Sequence, residues 1–239
     1  MKIIRFTSFV ILPFFLFLLS GCEKKTNTNV DATTTGTVTD VDGNVYGTVK
    51  IGSQWWMTEN LKVTSFNDGS KIRAILSTEK DSIWAKLDSA AFCKTDGRYG
   101  LLYNWFVVND KKLIAPKGWH IPTDDDWKKL EVEIGMAASE AEKTGWRGVD
   151  QAENLVIKSS EGWSDPVHFG KNGSGFTALP GGCRVFNGSY NVSSNTAFWW
   201  TSSEKNDQVY YRYIDSKMKT IFRHYTYKQY GFSIRCVKD

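Results

Sequence analysis

Ala197-Phe198-Trp199-Trp200-Thr201 and Gln208-Val209-Tyr210-Tyr211-Arg212-Tyr213-Ile214 are two aromatic and β-branched runs divided by a polar stretch that ends in Asn206-Asp207. Phe176-Thr177-Ala178-Leu179, Thr220-Ile221-Phe222-Arg223 and Gly231-Phe232-Ser233-Ile234-Arg235-Cys236-Val237 repeat the pattern. Such residues suit a pleated, half-buried surface, so the chain after Gly162 reads as a succession of strands. Upstream the period changes. Thr123 with Asp126 three residues on approximates a capping box, and Asp124 and Asp125 complement the positive end of a helix dipole. Trp127, Leu130 and Ile134 follow at i, i+3 and i+7, and Gly135 closes the element. Ile83, Trp84 and Leu87 predict a short helix within Glu79–Leu87, and Gln151–Ser159 predicts another. Helices first and strands after, with no repeat at fixed period, predict an α+β fold.

The N-terminus carries an address. Lys2 and Arg5 precede a run, Phe6–Leu19, that is apolar apart from Thr7, Ser8 and Pro13. That run is shorter than the roughly 20 residues needed to span a bilayer, and it reads as a secretory signal. It ends in Leu19-Ser20-Gly21-Cys22, a lipobox whose small residues fit a peptidase groove and whose thiol takes a diacylglycerol. The expectation is a bacterial lipoprotein acylated on Cys22, held by acyl chains to a membrane of the cell envelope, the outer membrane by preference. Exposure to the periplasm or the cell surface stays open. Residues 1–21 are then the signal peptide and 22–36, rich in Thr, Asn and Lys, a flexible tether. Residues 37–239 form one folded domain. That domain opens with a hairpin, Thr37–Ile51, turning at Asp42-Gly43. Asp40-x-Asp42-x-Asn44 resembles the start of a calcium loop, but Val45 and Ile51 stand where such a loop needs Gly and Glu.

Composition narrows the chemistry. The net charge is +4, of which Lys2 and Arg5 supply two, and no basic face stands out, so nucleic acid is not an expected partner. With Cys22 lipidated, Cys93, Cys183 and Cys236 permit at most one intrachain disulfide, and all three pairings stay open. His120, His168 and His224 are isolated, no Cys-x-x-Cys occurs, and no metal or other cofactor is expected. Gly170-x-x-Gly173-x-Gly175 lacks the Lys-Ser/Thr of a phosphate cradle, and there is no Gly-x-Ser-x-Gly elbow.

Seven blocks, in order, carry a family resemblance: Asp40–Tyr46, Ile51–Leu61 with Trp55-Trp56-Met57-Thr58-Glu59-Asn60-Leu61, Tyr99-Gly100-Leu101-Leu102-Tyr103-Asn104-Trp105, Pro116-Lys117-Gly118-Trp119-His120-Ile121-Pro122-Thr123, Gly175-Phe176-Thr177-Ala178-Leu179-Pro180-Gly181-Gly182, Trp200-Thr201-Ser202-Ser203-Glu204 and Gly231–Asp239. Together they resemble the Fibrobacter succinogenes major paralogous domain, which recurs in envelope and secreted proteins of Bacteroidetes and Fibrobacteres. Trp119–Thr123 before Asp126-Trp127, with the terminal Gly231–Arg235 strand, is also similar to formylglycine-generating-enzyme-type C-type-lectin-like domains. This second resemblance implies two main helices, a twisted antiparallel sheet and paired terminal strands, with Leu101–Val108 as the first helix. In related sequences the residue before Pro116 is usually Cys, a bridge partner for the Cys near the end. Here it is Ala115, so that disulfide does not carry over. The oxidase relatives use a close cysteine pair that binds copper, and this chain has none at short spacing.

Aromatic residues are the remaining signal: ten Trp, ten Tyr and fourteen Phe. Trp199, Trp200, Tyr211, Arg212 and Arg223, with Tyr190, Tyr213 and Tyr225 nearby, are the candidates for a ligand-binding face, although one of Trp199 and Trp200 must point inward. The functional expectation is a non-enzymatic envelope lipoprotein that binds a glycan or a protein in adhesion or surface assembly. A structural subunit of a surface complex and a divergent oxidoreductase are the alternatives.

Overall fold

The computed structural model describes residues 34–76, 79–95, 98–158, 162–164, 170–191 and 195–239. The signal segment, Cys22, nearly all of the tether and His168 lie outside them. Turn chemistry starts the domain. Asp40 accepts from the backbone N–H of Asp42 and Asn44 at 3.0 and 2.9 Å, and Gly43 takes φ 83°, so the chain reverses between β1 (Thr35–Thr39) and β2 (Val45–Ile51). A second reversal at Gly52 brings in β3 (Gln54–Met57), paired Ile51 to Gln54.

Among the described residues fifteen strands make three sheets and five short helices accompany them. The first sheet has the order β1-β2-β3-β15-β7, with β7 at Trp119–His120 and β15 at Val237–Lys238. The second has the order β10-β9-β14-β6-β5-β4. Its strands are β4 (Arg73–Ile75), β5 (Ala91–Lys94), β6 (Leu101–Asn104), β9 (Cys183–Arg184), β10 (Tyr190–Asn191) and β14 (Gly231–Phe232). The third runs β11-β12-β13-β8, from β11 (Thr196–Lys205), β12 (Gln208–Asp215), β13 (Ile221–Thr226) and β8 (Gly145–Arg147).

This architecture corrects the α+β, C-type-lectin-like expectation. The fold is mostly β, and in place of two main helices there is one of ten residues, α3 (Asp124–Glu133), beside four of four or five residues. The helix α3 forms where the cap was legible: Thr123 and Asp126 complete a reciprocal capping box. Leu101–Val108 has no such signal. Its first four residues pair as β6 with β5 and β14, and only Trp105–Val108 makes a single helical turn, α2. The aromatic and β-branched side chains there favour a ladder over a helix. The helices expected near 79–87 and 151–159 are present as α1 (Asp81–Ala85) and α5 (Gln151–Leu155), and α4 is Ala138–Ala141.

Two strand expectations also change. Phe176–Leu179 contributes an isolated bridge, Ala178 to Val156, because Gly175 and Thr177 both take positive φ and turn the backbone. The terminal Gly231–Val237 run breaks into β14 and β15, which belong to different sheets; β1 and β15 share a sheet but are separated by β2 and β3. Between the two short strands, Ser233 exchanges backbone hydrogen bonds with Phe198 and Trp200 of β11 at 3.1 Å, and Ile234 accepts from Leu61 at 2.8 Å. One seven-residue segment therefore touches all three sheets.

The interior has two large apolar clusters and a smaller one. In one, Trp56, Trp127, Phe176 and Trp199 interlock with ring centroids 5.0 to 5.9 Å apart. Beside it lies a buried ionic network. Arg147 grips Glu131 with two bonds of 2.7 Å, Arg212 bridges Glu131 and Asp124 at 2.7 and 2.8 Å, and Arg223 grips Asp124 at 2.9 and 2.6 Å. Two carboxylates of α3 thus fasten that helix to β8, β12 and β13. Losing one member would leave a charge stranded, which costs about 3–5 kcal/mol. Cys93, Cys183 and Cys236 are all buried and unbridged.

Burial raises the Asp124 carboxyl, but Arg223 and Arg212 outweigh it and hold the group at about 2, below its ordinary 3.8. Its folded value is the lower one, so its contribution is fully present above pH ~4 and drains away as pH falls toward 2, to a total of about 2 kcal/mol. Urea unfolding from pH 5 to 2 should show this loss, and Asp124→Asn should start less stable and lose less over that window. An unchanged acid slope in the variant would remove Asp124 from the account. A thiol reagent supplies a second check: Cys93, Cys183 and Cys236 should stay unmodified in the folded chain and all three should react in denaturant.

Candidate binding surface

Strand alternation divides the third sheet into two unlike faces. Toward α3 point Trp199, Arg212, Ile214, Ile221, Arg223 and Arg147, all buried. The other face carries a ladder of directly opposed rings: Phe198 faces Tyr213, Tyr213 faces Phe222 and Phe222 faces Trp146, one residue from each of the four strands. Phe198 and Tyr213 stack at 4.4 Å; Trp146 meets Tyr213 and Phe222 at 5.1 Å each. Phe198, Tyr213 and Phe222 are half-buried and Trp146, on the edge strand, is 38% exposed.

A second rung runs Trp200, Tyr211, His224. Trp200 is covered, since Phe232 of the second sheet lies 4.3 Å from it and its indole N–H donates to the Tyr103 carbonyl at 2.7 Å. From Tyr211 the rings continue through Phe232 and Tyr230 to Phe186 and Tyr227, the last two 45% and 55% exposed. Hydroxyls punctuate the strip. Tyr213 donates to Asp215 at 2.5 Å, and burial, with help from Asp215, raises its phenol, while burial pushes Tyr211 up to about 12. Both are neutral donors at ordinary pH.

The residues nominated from sequence fall mostly on the wrong side of this sheet. Trp199 and Arg212 are fully buried on the α3 face, Trp199 donating to Asn60 at 2.9 Å and Arg212 paired as above; Arg223 is 5% exposed with Asp124 and two carbonyls. Trp200 has the right face but lies beneath the second sheet. Only Tyr211 and Tyr213 join the strip. The reason is the period of two: Arg212 and Arg223 oppose one another across β12 and β13, and the carboxylates of α3 draw both inward. Tyr190 lies elsewhere, against Arg184 at 4.5 Å, and Tyr225 pairs with Tyr210 at the alternate positions, its ring 4.4 Å from that of His224. Phe198, Phe222 and His224 were reachable by alternation from Tyr211 and Tyr213. Trp146, isolated between Gly145 and Arg147, gave no periodic signal.

Other chemistry resolves into structure. Both carboxylate oxygens of Asp40 and of Asp42 take protein donors, including Asn44, Tyr46, Thr64 and Ser65, so the Asp40–Asn44 segment is a closed turn. Among the described residues no three His, Cys, Asp or Glu side chains group as a metal site. Burial pushes Cys183 up to about 12 and raises Cys93 and Cys236, which leaves the thiols protonated inside the core. His120 bridges Asp239 and Asp126 at 2.7 and 3.1 Å.

A search of curated proteins and a search of solved structures each found no match. A scan against family models matched residues 49–238 to the Fibrobacter succinogenes major domain, a family without an assigned catalytic activity. The match takes in the ring ladder, the α3 network and the terminal segment that joins the sheets, and this chain belongs to the Fibrobacter succinogenes major domain family.

Proposed function

We propose that this protein is a lipid-anchored lipoprotein of the cell envelope whose domain acts without catalysis, binding a protein partner through the aromatic strip of the third sheet. The observation that carries the reading is the four-ring rung Phe198-Tyr213-Phe222-Trp146, half-exposed across every strand of that sheet. Contiguous exposed apolar surface of this kind marks interaction sites, and Tyr, Trp and Phe are the residues enriched in their centres. A protein suits the strip better than a sugar. Phe198 and Tyr213 already occupy one face of each other, and the rings around Trp146 are tilted by 49° and 63°, so flat open platforms for pyranose stacking are scarce. Cys22 after the apolar run supports the anchor.

Two measurements test the reading. Fatty-acid label should enter the chain and be lost in Cys22→Ser; equal labelling of both would remove the anchor. Envelope proteins crosslinked to the acylated full chain should be identified, purified and titrated, with a glycan array run in parallel. Trp146→Ala and Phe222→Ala should each weaken binding of the identified protein about tenfold or more, the scale of an interface hot spot. Glycan binding lost in the same variants would replace the protein partner with a sugar, and undiminished binding would discard the strip.

A further inference from the structure

Away from the strip, five segments of chain surround a cavity of 170 Å³ lined by Tyr46, Glu59, Asn60, Lys62, Leu179 and Arg235, among others. Arg235 dominates it. The side chain is 1% exposed, and every acceptor it meets is neutral: Nε donates to Asn60 Oδ1 at 2.9 Å, one terminal nitrogen to the carbonyls of Phe176 and Met57, and the other to the Thr177 carbonyl at 2.9 Å. Among the described residues no carboxylate stands within ion-pair distance of it. Four of its five N–H groups are thereby used and the fifth has no protein acceptor among them. Phe176 and Trp199 supply ring faces 4.1 and 5.8 Å from the guanidinium carbon, which ease its burial without cancelling its charge.

Lys62 adds an exposed cation at the mouth, and one oxygen of the Glu59 carboxylate accepts the Gly47 N–H at 2.7 Å. A buried cation whose hydrogen bonds all go to neutral groups, with the Glu59 charge acting on it from beyond ion-pair distance, is a costly arrangement that an anion would relieve. Its shape is also fixed from behind. Gly100 takes φ 85°, and a Cβ there would fall 2.8 Å from the Leu61 carbonyl oxygen, so the wall cannot accept a side chain. All four hydrogen-bonding groups of Asn60 are committed, to Trp199, Arg235, Tyr99 and Ser233. The volume equals that of about five or six waters in the liquid and lies below the roughly 300 Å³ at which drug-sized pockets begin.

We infer that this cavity is a binding site for a small oxyanion, a carboxylate or a tetrahedral sulfate or phosphate, received by Arg235 from within and by Lys62 at the mouth. The site is independent of the aromatic strip. It is tested by calorimetric titration of the full chain in detergent with sodium acetate, glucuronate, sulfate and phosphate, each at constant ionic strength set with chloride. At least one should bind saturably, and which one identifies the ligand's acid group. The surface variant Lys62→Glu should weaken that binding at least tenfold, and Leu179→Trp, which fills the cavity and leaves its charges alone, should abolish it. Trp146→Ala should leave it unchanged, so failure of the strip and failure of this site are told apart. Absence of saturable binding by all four anions, or equal binding by wild type and Lys62→Glu with near-ultraviolet circular dichroism intact, would overturn the inference.

Discussion

The side chain of Asn60 is the point on which the three sheets depend. It follows β3 of the first sheet and donates to the carbonyl of Tyr99, just ahead of β6 in the second, and to Ser233, between β14 and β15. Its oxygen accepts from Trp199 of β11 in the third sheet and from Arg235. Arg235 in turn takes the carbonyls of Phe176 and Thr177, in the bend where positive φ at Gly175 and Thr177 turns the backbone out of any extended ladder. An uncompensated buried donor costs about 1–3 kcal/mol, and removing the Asn60 oxygen would strand two. That exceeds the roughly 0.5–1.5 kcal/mol of any single ring pair in the neighbouring Trp56-Trp127-Phe176-Trp199 cluster. The rings supply bulk burial; the polar node decides how the sheets are joined.

The ionic network under α3 has a comparable effect on the third sheet. Asp124 and Glu131 place two carboxylates where Arg147, Arg212 and Arg223 must come to meet them, and this assigns one face of β8, β12 and β13 to the interior. Every aromatic residue at the alternate positions is thereby turned outward. The half-exposed ladder is thus a consequence of charge pairing on the far side of the same strands. The pleat couples the two faces of the sheet: what fixes the helix also presents the rings.

These two devices leave the molecule with two unlike surface features. The strip is apolar and broad and crosses a whole sheet, while the cavity is small and has a buried guanidinium in its wall. Neither uses the thiols, which are buried and protonated, and the family to which the chain belongs carries no assigned catalysis.

Sequence by itself determined the elements whose causes are local. The Thr123–Asp126 capping box made α3 certain to begin where it does, the Asp42-Gly43 turn set the first hairpin, and the aromatic runs around 197–201, 208–214 and 221–223 formed strands as their side chains favour. Seven ordered blocks were enough to indicate the family. Only the tertiary structure decided the rest. Leu101–Asn104 became a strand because neighbours on both sides offered it a ladder, and Gly231–Val237 was shared between sheets because Ser233 and Arg235 had partners in segments far away in the chain. Which of Trp199, Tyr211, Arg212 and Arg223 met solvent was fixed by where α3 placed its carboxylates, a contact across 81 to 99 residues that strand periodicity cannot encode. Alternation specifies that a strand has two faces; the elements packed against it choose which one is inside.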